Sequence, residues 1–181
     1  MKSILYKKYQ EEVKPALKEK FGIKNQMAIP KIIKVSINSG INARNTDSHF
    51  VELVENTLTR ITGQKPIKTK AKKAISAFKV RENMVVGVTV TLRGQKMYDF
   101  LDKLINISIP RIRDFRGLSE KNIDKQGNLN LGFKEHNVFP EIRSDEVERI
   151  HGLQISISTT AEKYERGLEL FKLLGFPFQK K

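Results

Sequence analysis

A run of cations without a single acidic neighbour is the feature of this sequence with the clearest chemical meaning. The stretch GQKPIKTKAKKAISAFKVRE covers residues 63–82, and no Asp or Glu lies between Glu55 and Glu82. The simplest partner for such a stretch is a polyanion, with nucleic acid first and an anionic membrane surface second. The interval contains eight cations, namely Arg60, Lys65, Lys68, Lys70, Lys72, Lys73, Lys79 and Arg81.

The residues between these cations indicate how the stretch could be used. Charge runs are usually solvated protein surface, and that ordinary explanation applies here as well. The spacers Ala71, Ala74, Ser76 and Ala77 are small, so a phosphate chain could approach the backbone closely. Phe78 could stack on a base or pack down to anchor the stretch. Lysines dominate, and a lysine lacks the bidentate fork of arginine, so we expect contact with backbone phosphates more than reading of bases.

A second basic segment, PRIRDFRG at residues 110–117, is rich in arginine. Arg111, Arg113 and Arg116 could make forked contacts to phosphate or guanine. Alternatively, Asp114 and the preceding helix could satisfy these guanidinium groups within the protein. The residues alone leave both explanations open.

Signals for catalysis or metal binding are weak. His49, His136 and His151 lack the spacing of metal ligands, and we expect all three on the surface. The absence of cysteine excludes disulfides, thiolate catalysis and cysteine-based zinc sites. We therefore predict no enzyme, no catalytic residue, no metal and no cofactor. An enzyme that clamps nucleic acid with the basic stretch is one alternative function, and a module for anionic membranes is another.

The composition fits a single basic domain over residues 1–181. Lys and Arg outnumber Asp and Glu by 34 to 20, which gives a net charge of +14. The N-terminal MKSILYKKYQEEVKPALKEKF carries acids and has no apolar core, so we do not expect a signal peptide. No apolar run approaches the ~18 residues of a membrane helix.

Apolar periodicity predicts the elements that position these side chains. The first helix covers residues 3–21, with Leu5, Tyr9, Val13 and Leu17 on one stripe and a kink or break at Pro15. Further helices are expected at 47–63, ended by Gly63, at 95–109, and after a capping box of Thr159 and Glu162, ended by Gly175. Strands are expected at 31–38, 66–70, 83–94, 128–133 and 153–160.

This order predicts an α+β fold, a ferredoxin-like split βαβ arrangement similar to that of RNA-recognition domains, with an extra strand. Helices should cover one face of an antiparallel sheet and leave the other face open for RNA. In the first strand Ile33, Val35 and Ile37 should point inward. The open face should then carry polar and basic residues, namely Lys34, Ser36, Asn38, Thr89, Thr91 and Arg93. Residues 65–83 should form a protruding hairpin loop, which we call the basic loop.

Several ordered motifs resemble those of a known family. They are LTRITGQKPIKTKAKKAISAFKVRE, VTLRG, IPRIRDFRGLS, FPEI and GFPF, and the likeness runs over essentially the whole chain. The chain is similar to the bacterial-type large-subunit ribosomal protein five, the universal ribosomal protein that binds 5S ribosomal RNA. The resemblance implies a structural, ribosome-bound role in the cytoplasm, in the central protuberance of the large subunit beside neighbouring rRNA and proteins.

The resemblance also implies binding residues. The 5S rRNA would contact the open sheet face at Asn38, Gln64, Thr91 and Arg93. The basic loop would reach the elbow of P-site tRNA and contact RNA backbone through Lys68, Lys70, Lys72, Lys73, Lys79 and Arg81. A protein of the small-subunit head would complete an intersubunit bridge, for which residues 134–152 are a candidate segment.

Two positions depart from the family pattern. Relatives usually carry Asn-Met-Gly-x-Gly where this chain has Asn38-Ser39-Gly40-Ile41-Asn42, and often Gly where Asn83 stands. Asn tolerates positive φ better than most residues, so the turns could survive both changes. If the family glycines instead allow close approach of RNA, Asn42 puts that contact in doubt.

Overall fold

The N-terminal helix is divided into two α-helical parts by a wider turn. The computed structural model describes residues 3–41, 47–143 and 149–179. Helix α1 (Ile4–Lys8) continues through a π-helical turn, Tyr9–Val13, into α2 (Lys14–Phe21), with Pro15 in the first turn of α2. Proline has no N–H to donate to the preceding turn, and the helix widens into the π turn directly before α2. The predicted stripe is confirmed, since Leu5, Tyr9, Val13 and Leu17 are all buried.

Three further α-helices lie in the described chain. They are α3 (Ser48–Thr62), α4 (Gly94–Lys103) and α5 (Tyr164–Leu174). Helices α3 and α5 end at Gly63 and Gly175, as predicted, and both glycines have the left-handed backbone conformation that ends many helices. Helix α4 continues through a π-helical turn, Leu104–Ser108, and a short 3₁₀ turn, Ile109–Arg111, which contains Pro110.

Five strands form one sheet in the order β2-β3-β1-β5-β4. They are β1 (Ile32–Gly40), β2 (Ile67–Lys70), β3 (Val85–Leu92), β4 (Leu129–Phe133) and β5 (Leu153–Thr159). Strands β2 and β3 pair antiparallel, with Ile67 opposite Thr89 and an irregularity after Thr69. The antiparallel sheet with its helices confirms the predicted α+β class, and β4 is the extra strand beside β5.

Alternate residues of the strands are buried, as an amphipathic sheet requires. Val35 and Ile37 of β1 are fully buried, whereas Lys34, Ser36 and Asn38 are partly exposed. Strand β3 follows the same rule, with Val88, Val90 and Leu92 buried and Thr89 and Thr91 partly exposed. The prediction for Ile33 is wrong, because this residue is 42% exposed. Ile32 takes the buried position at the start of β1, and the regular alternation of buried and exposed residues begins only at Val35.

Close backbone contacts divide the chain into two compact units. The first unit comprises Met1–Val35, Leu92–Leu131 and Ser156–Lys181, and it contains α1, α2, α4 and α5. The second unit comprises Ser36–Thr91 and Gly132–Ile155, and it contains α3, β2 and the hairpin between β2 and β3. The organisation of residues 1–181 as a single domain stays a prediction.

The predicted capping box at Thr159 and Glu162 is wrong. Helix α5 begins at Tyr164, whereas Thr159 is the last residue of β5. The backbone N–H of Thr159 donates to the side chain of Asn128, and its hydroxyl donates to the carbonyl of Gly127 (2.8 Å). The same hydroxyl accepts from the N–H of Ala161 (3.2 Å), so Thr159 closes a turn directly after β5, before the start of α5.

Candidate nucleic-acid interface

The basic loop is a hairpin closed by hydrogen bonds at its base. The N–H of Ala71 donates to the carbonyl of Met84 (2.8 Å), and the N–H of Asn83 donates to the carbonyl of Ala71 (3.0 Å). Asn83 has φ of 64°, so it adopts the left-handed conformation that glycine favours. The substitution at position 83 therefore keeps the turn, as predicted for Asn. Asn42, the other departure from the family pattern, lies outside the described residues.

A second closure lies nearer the tip of the basic loop. Ile75 and Val80 form an antiparallel bridge, with N–H to carbonyl distances of 2.9 and 3.2 Å. Residues Ser76–Phe78 make one 3₁₀ turn, and Lys79, with φ of 54°, turns the chain back towards Val80. All of residues 72–79 are exposed.

Most cations of the basic loop lack a partner within the described parts of the protein. In the described parts of the chain no ion pair or hydrogen bond engages the exposed side chains of Lys70, Lys72, Lys73, Lys79 or Arg81. Lys68 differs, because its Nζ lies 2.9 Å from a carboxylate oxygen of Glu55 on α3. The outer part of the loop therefore presents uncompensated charge, whereas the strand that leads into it is partly neutralised.

The exposure of Phe78 decides between its two suggested roles, stacking on a base and anchoring the loop. Its side chain is 71% exposed, so it does not pack down to anchor the loop. The ring instead stands in solvent, beside Lys79 in the chain. An exposed ring is accessible to a base, so stacking is the role that agrees with this position.

Of the four residues expected to bind 5S rRNA, Gln64 and Thr91 are directly connected. The side-chain amide of Gln64 donates to the backbone carbonyl of Thr91 (3.2 Å). The hydroxyl of Thr62 accepts from the N–H of Gln64, which fixes the residue just beyond Gly63. Thr91 is partly exposed, and its side chain lies on the polar face of β3. Arg93 is exposed and directly precedes α4.

Asn38 lies where two strands approach each other closely. A Cβ atom added to Gly87 would lie 3.0 Å from Thr69 Oγ1, 3.1 Å from the Ser39 carbonyl and 3.6 Å from Asn38 Oδ1. Gly87 was not among the predicted site residues, although a glycine inside a strand is a known sign of close approach. Thr89 was expected only on the open face, and its hydroxyl donates to the carbonyl of Ile37 (3.1 Å).

The arginine segment is exposed and not neutralised by the residue proposed for that role. Arg111, Arg113 and Arg116 are exposed, and no ion pair joins them to Asp114 or to another acid in the described parts of the chain. Asp114 has φ of 55°, a conformation that is uncommon outside glycine. The alternative in which Asp114 satisfies these arginines is therefore wrong.

The histidines are not all at the surface, and this prediction is wrong for two of them. His136 is 1% exposed and His151 is 6% exposed, while His49 is exposed. The rings of His136 and His151 stack with centroids 4.0 Å apart, and Ser39 Oγ lies 3.2 Å from His151 Nδ1. Burial, together with the neighbouring His136, lowers the pKa of His151 to about 4. The pair is therefore neutral at pH 7 and packs as part of the core.

No metal site or membrane span accompanies these features in the part of the chain that the structure describes. Within residues 3–41, 47–143 and 149–179 no group of three or more His, Cys, Asp or Glu could hold a metal ion. None of the helices described above is long and apolar enough to cross a bilayer.

Comparison with known proteins decides the family. Residues 25–81 match the family described as Ribosomal protein L5, and residues 85–178 match the family described as ribosomal L5P family C-terminus. This chain belongs to the ribosomal protein L5 family. Membership confirms the predicted resemblance and agrees with the prediction that the chain is not an enzyme.

Close relatives match nearly the whole of this chain. The protein named Large ribosomal subunit protein uL5 of Leuconostoc mesenteroides subsp. mesenteroides is 51% identical over 180 residues, covering 99% of this chain and 100% of the relative. The proteins of the same name from Halothermothrix orenii and Clostridium kluyveri are each 49% identical, covering 97% and 98% of this chain and 98% of either relative.

Proposed function

We propose that this chain is a structural component of the large ribosomal subunit that binds 5S rRNA and contacts P-site tRNA. The observation that carries the proposal is the cluster of exposed cations beyond Lys68 in the basic loop, which have no ion pair in the described structure, in a member of the L5 family. A phosphate backbone is the partner that such a cluster fits. Relatives that match along their entire length bear the name Large ribosomal subunit protein uL5, which supports the same assignment.

The polar sheet face is the proposed site for 5S rRNA. Asn38, Gln64, Thr91 and Arg93 are the proposed contacts, and Asn38 and Thr91 lie on partly exposed positions of adjacent strands. Gln64 donates to the backbone of Thr91, so a bound RNA would meet a residue whose orientation is already fixed. Amide and hydroxyl groups can hydrogen-bond to ribose and to base edges, so this face could recognise RNA beyond its phosphates.

The basic loop is the proposed contact for the tRNA backbone. Lys70, Lys72, Lys73, Lys79 and Arg81 are free to meet phosphates, because none has a partner in the described structure. Lys68 belongs to the same predicted set, but its ion pair with Glu55 should reduce its contribution. Arg111, Arg113 and Arg116 are exposed and available for a further RNA contact.

The remaining proposed partners are neighbouring rRNA and proteins of the large subunit, and a protein of the small-subunit head. Residues 134–152 are the candidate segment for this intersubunit bridge, and residues 144–148 within it lie outside the described residues. His136 and His151, whose rings stack with centroids 4.0 Å apart, lie near the two ends of this segment.

Co-purification tests the main proposal. The chain is expressed with an affinity tag at low salt, and the RNA recovered with it is sequenced and quantified against the protein. We expect 5S rRNA in about equimolar amount. Recovery of tRNA and rRNA fragments in proportion to their abundance in the cell, without enrichment of 5S rRNA, would contradict specific binding.

A further inference from the structure

The exposed ring at the tip of the basic loop differs from every other aromatic side chain of the described structure. Among the described residues, Phe78 is the only aromatic residue in the exposed class, at 71%, and the other rings are buried or half-buried. Exposing a phenyl ring forgoes about 2 kcal/mol of burial energy. Folding of the isolated chain therefore gives no reason for a phenylalanine at this position.

The backbone of the loop fixes where this ring stands. The N–H of Phe78 donates to the carbonyl of Ile75 (3.3 Å), and Lys79 then turns the chain so that Val80 pairs with Ile75. Phe78 therefore ends the short 3₁₀ turn Ser76–Phe78 beyond the last hydrogen-bonded closure. Its immediate spacers, Ser76 and Ala77, are too small to cover the ring.

The charges around the ring select the kind of partner. Lys72, Lys73, Lys79 and Arg81 are exposed, lack ion pairs in the described structure and flank Phe78 in the chain. An apolar surface of another protein would leave these cations without compensation. An RNA strand offers both complements at once, because phosphates meet the cations and an unstacked base meets the ring.

We infer that Phe78 is a stacking platform for an exposed RNA base, placed among phosphate-binding cations at the tip of the basic loop. This inference rests on the proposed contact of the basic loop with tRNA and adds a base contact to it. Every base has a π face, so the platform would select an unpaired or loop-closing base by its accessibility and not by its identity.

The full-length chain and purified tRNA provide the test. We expect Phe78→Leu, which keeps an apolar side chain but removes the ring face, to weaken tRNA binding roughly 5- to 150-fold. Phe78→Tyr keeps a ring and should bind as the natural protein does. Since position 78 is exposed, the thermal unfolding midpoint of both variants should not change.

Fluorescence gives a second readout that charge alone cannot produce. The natural chain contains no tryptophan, so Phe78→Trp places a single indole at the tip of the loop. We expect tRNA to quench this fluorescence by stacking. The quenching should be lost with a tRNA in which the contacted elbow base is replaced by an abasic site, although the phosphate is retained.

A paired variant separates failure of this inference from failure of the proposed loop–tRNA contact. Lys72→Ala with Lys73→Ala removes two cations and keeps the ring. If this double variant weakens tRNA binding but Phe78→Leu does not, the stacking platform is overturned while the contact through charge stands. A protein surface would then be the remaining candidate contact for the ring. If neither weakens binding, the loop does not contact tRNA, and both ideas fail.

Discussion

At the scale of single residues, charged side chains and side chains that make directional hydrogen bonds lie on different surfaces of the molecule. The lysines of the basic loop beyond Lys68 are exposed and have no ion pair in the described structure, whereas Gln64 and Thr91 are joined by a hydrogen bond at the polar sheet face. Free cations attract any phosphate, and oriented amides and hydroxyls discriminate between partners. Substitutions of the two kinds should therefore have different effects.

Thr91→Ala and Asn38→Ala should weaken 5S rRNA binding by about 1–3 kcal/mol each, because groups of the bound RNA lose their hydrogen-bond partner. They should leave tRNA binding nearly unchanged. Lys72→Ala with Lys73→Ala should do the reverse. Filter binding of each variant to both RNAs measures the difference, and equal losses from all variants would refute the division between the two surfaces.

His151 should make stability depend on pH in the mildly acidic range. Its pKa is lowered to about 4 by burial and by His136, so the unfolded chain, with a pKa near 6.5, binds the proton more readily. Stability should therefore be fully present above about pH 6.5 and fall by up to about 1.4 kcal/mol per pH unit towards pH 4. Urea unfolding at several pH values measures this slope.

His151→Asn provides the matched comparison for this pH dependence. Asparagine keeps a polar side chain that can hydrogen-bond to Ser39 Oγ, which lies 3.2 Å from His151 Nδ1, but it does not titrate. The variant should be less stable at pH 7, because it loses the stacking on His136, yet its stability should decline less steeply between pH 6.5 and 4. Parallel pH curves for the two proteins would show that His151 is not protonated on unfolding.

At the scale of elements, close packing decides which small residues can be replaced. Gly167 of α5 packs directly on the turn at Gly127, and a Cβ atom added at Gly167 would lie 2.5 Å from both the Cα and the carbonyl oxygen of Gly127. Gly127 itself has φ of 82°. The turn is further fixed by Asp124, whose carboxylate accepts from the N–H groups of Gln126 and Asn128.

Gly167→Ala should lower the free energy of unfolding by about 1–3 kcal/mol, because the new methyl group forces backbone apart. This overpacking outweighs the gain of about 1 kcal/mol that alanine brings to a helix. Gly132→Ala in β4 is the control, since a Cβ atom there meets nothing within 4 Å. Urea unfolding of both variants measures the effect, and equal stability would mean that α5 shifts without cost.

The elements were predictable from the sequence to the extent that apolar spacing determines them. The stripe from Leu5 to Leu17 and the alternation in β3 follow from periodicity, and both are present. The start of α5 was not predictable, because Thr159 and Glu162 have capping-box spacing and only the tertiary contact with Asn128 shows that Thr159 is held elsewhere. The buried histidine pair was missed for the same reason, since its residues are distant in sequence.

The candidate site was predictable in part. The exposure of the loop cations follows from their unbroken run, but the ion pair of Lys68 with Glu55 joins an edge strand to a helix and leaves no local signal. Gly87 could have been noticed as a glycine inside a strand. The burial state of Phe78 could not be read from composition, because an isolated phenylalanine fits either environment.

At the scale of the whole molecule, the net charge of +14 determines how the chain meets RNA under different conditions. If the basic loop and sheet face together neutralise about six to ten phosphates, affinity should fall about 10³- to 10⁵-fold between 50 and 200 mM salt. Filter-binding titrations over that range measure the slope. A flat response would contradict electrostatic docking.

The ion pair between Glu55 and Lys68 has an effect on how a partner arrives. Because it partly compensates Lys68 at the strand that enters the hairpin, the loop cations without ion pairs in the described structure lie further along, from Lys70 to Arg81. Long-range attraction of a negatively charged polymer should therefore act mainly on that outer part of the loop before contact is made.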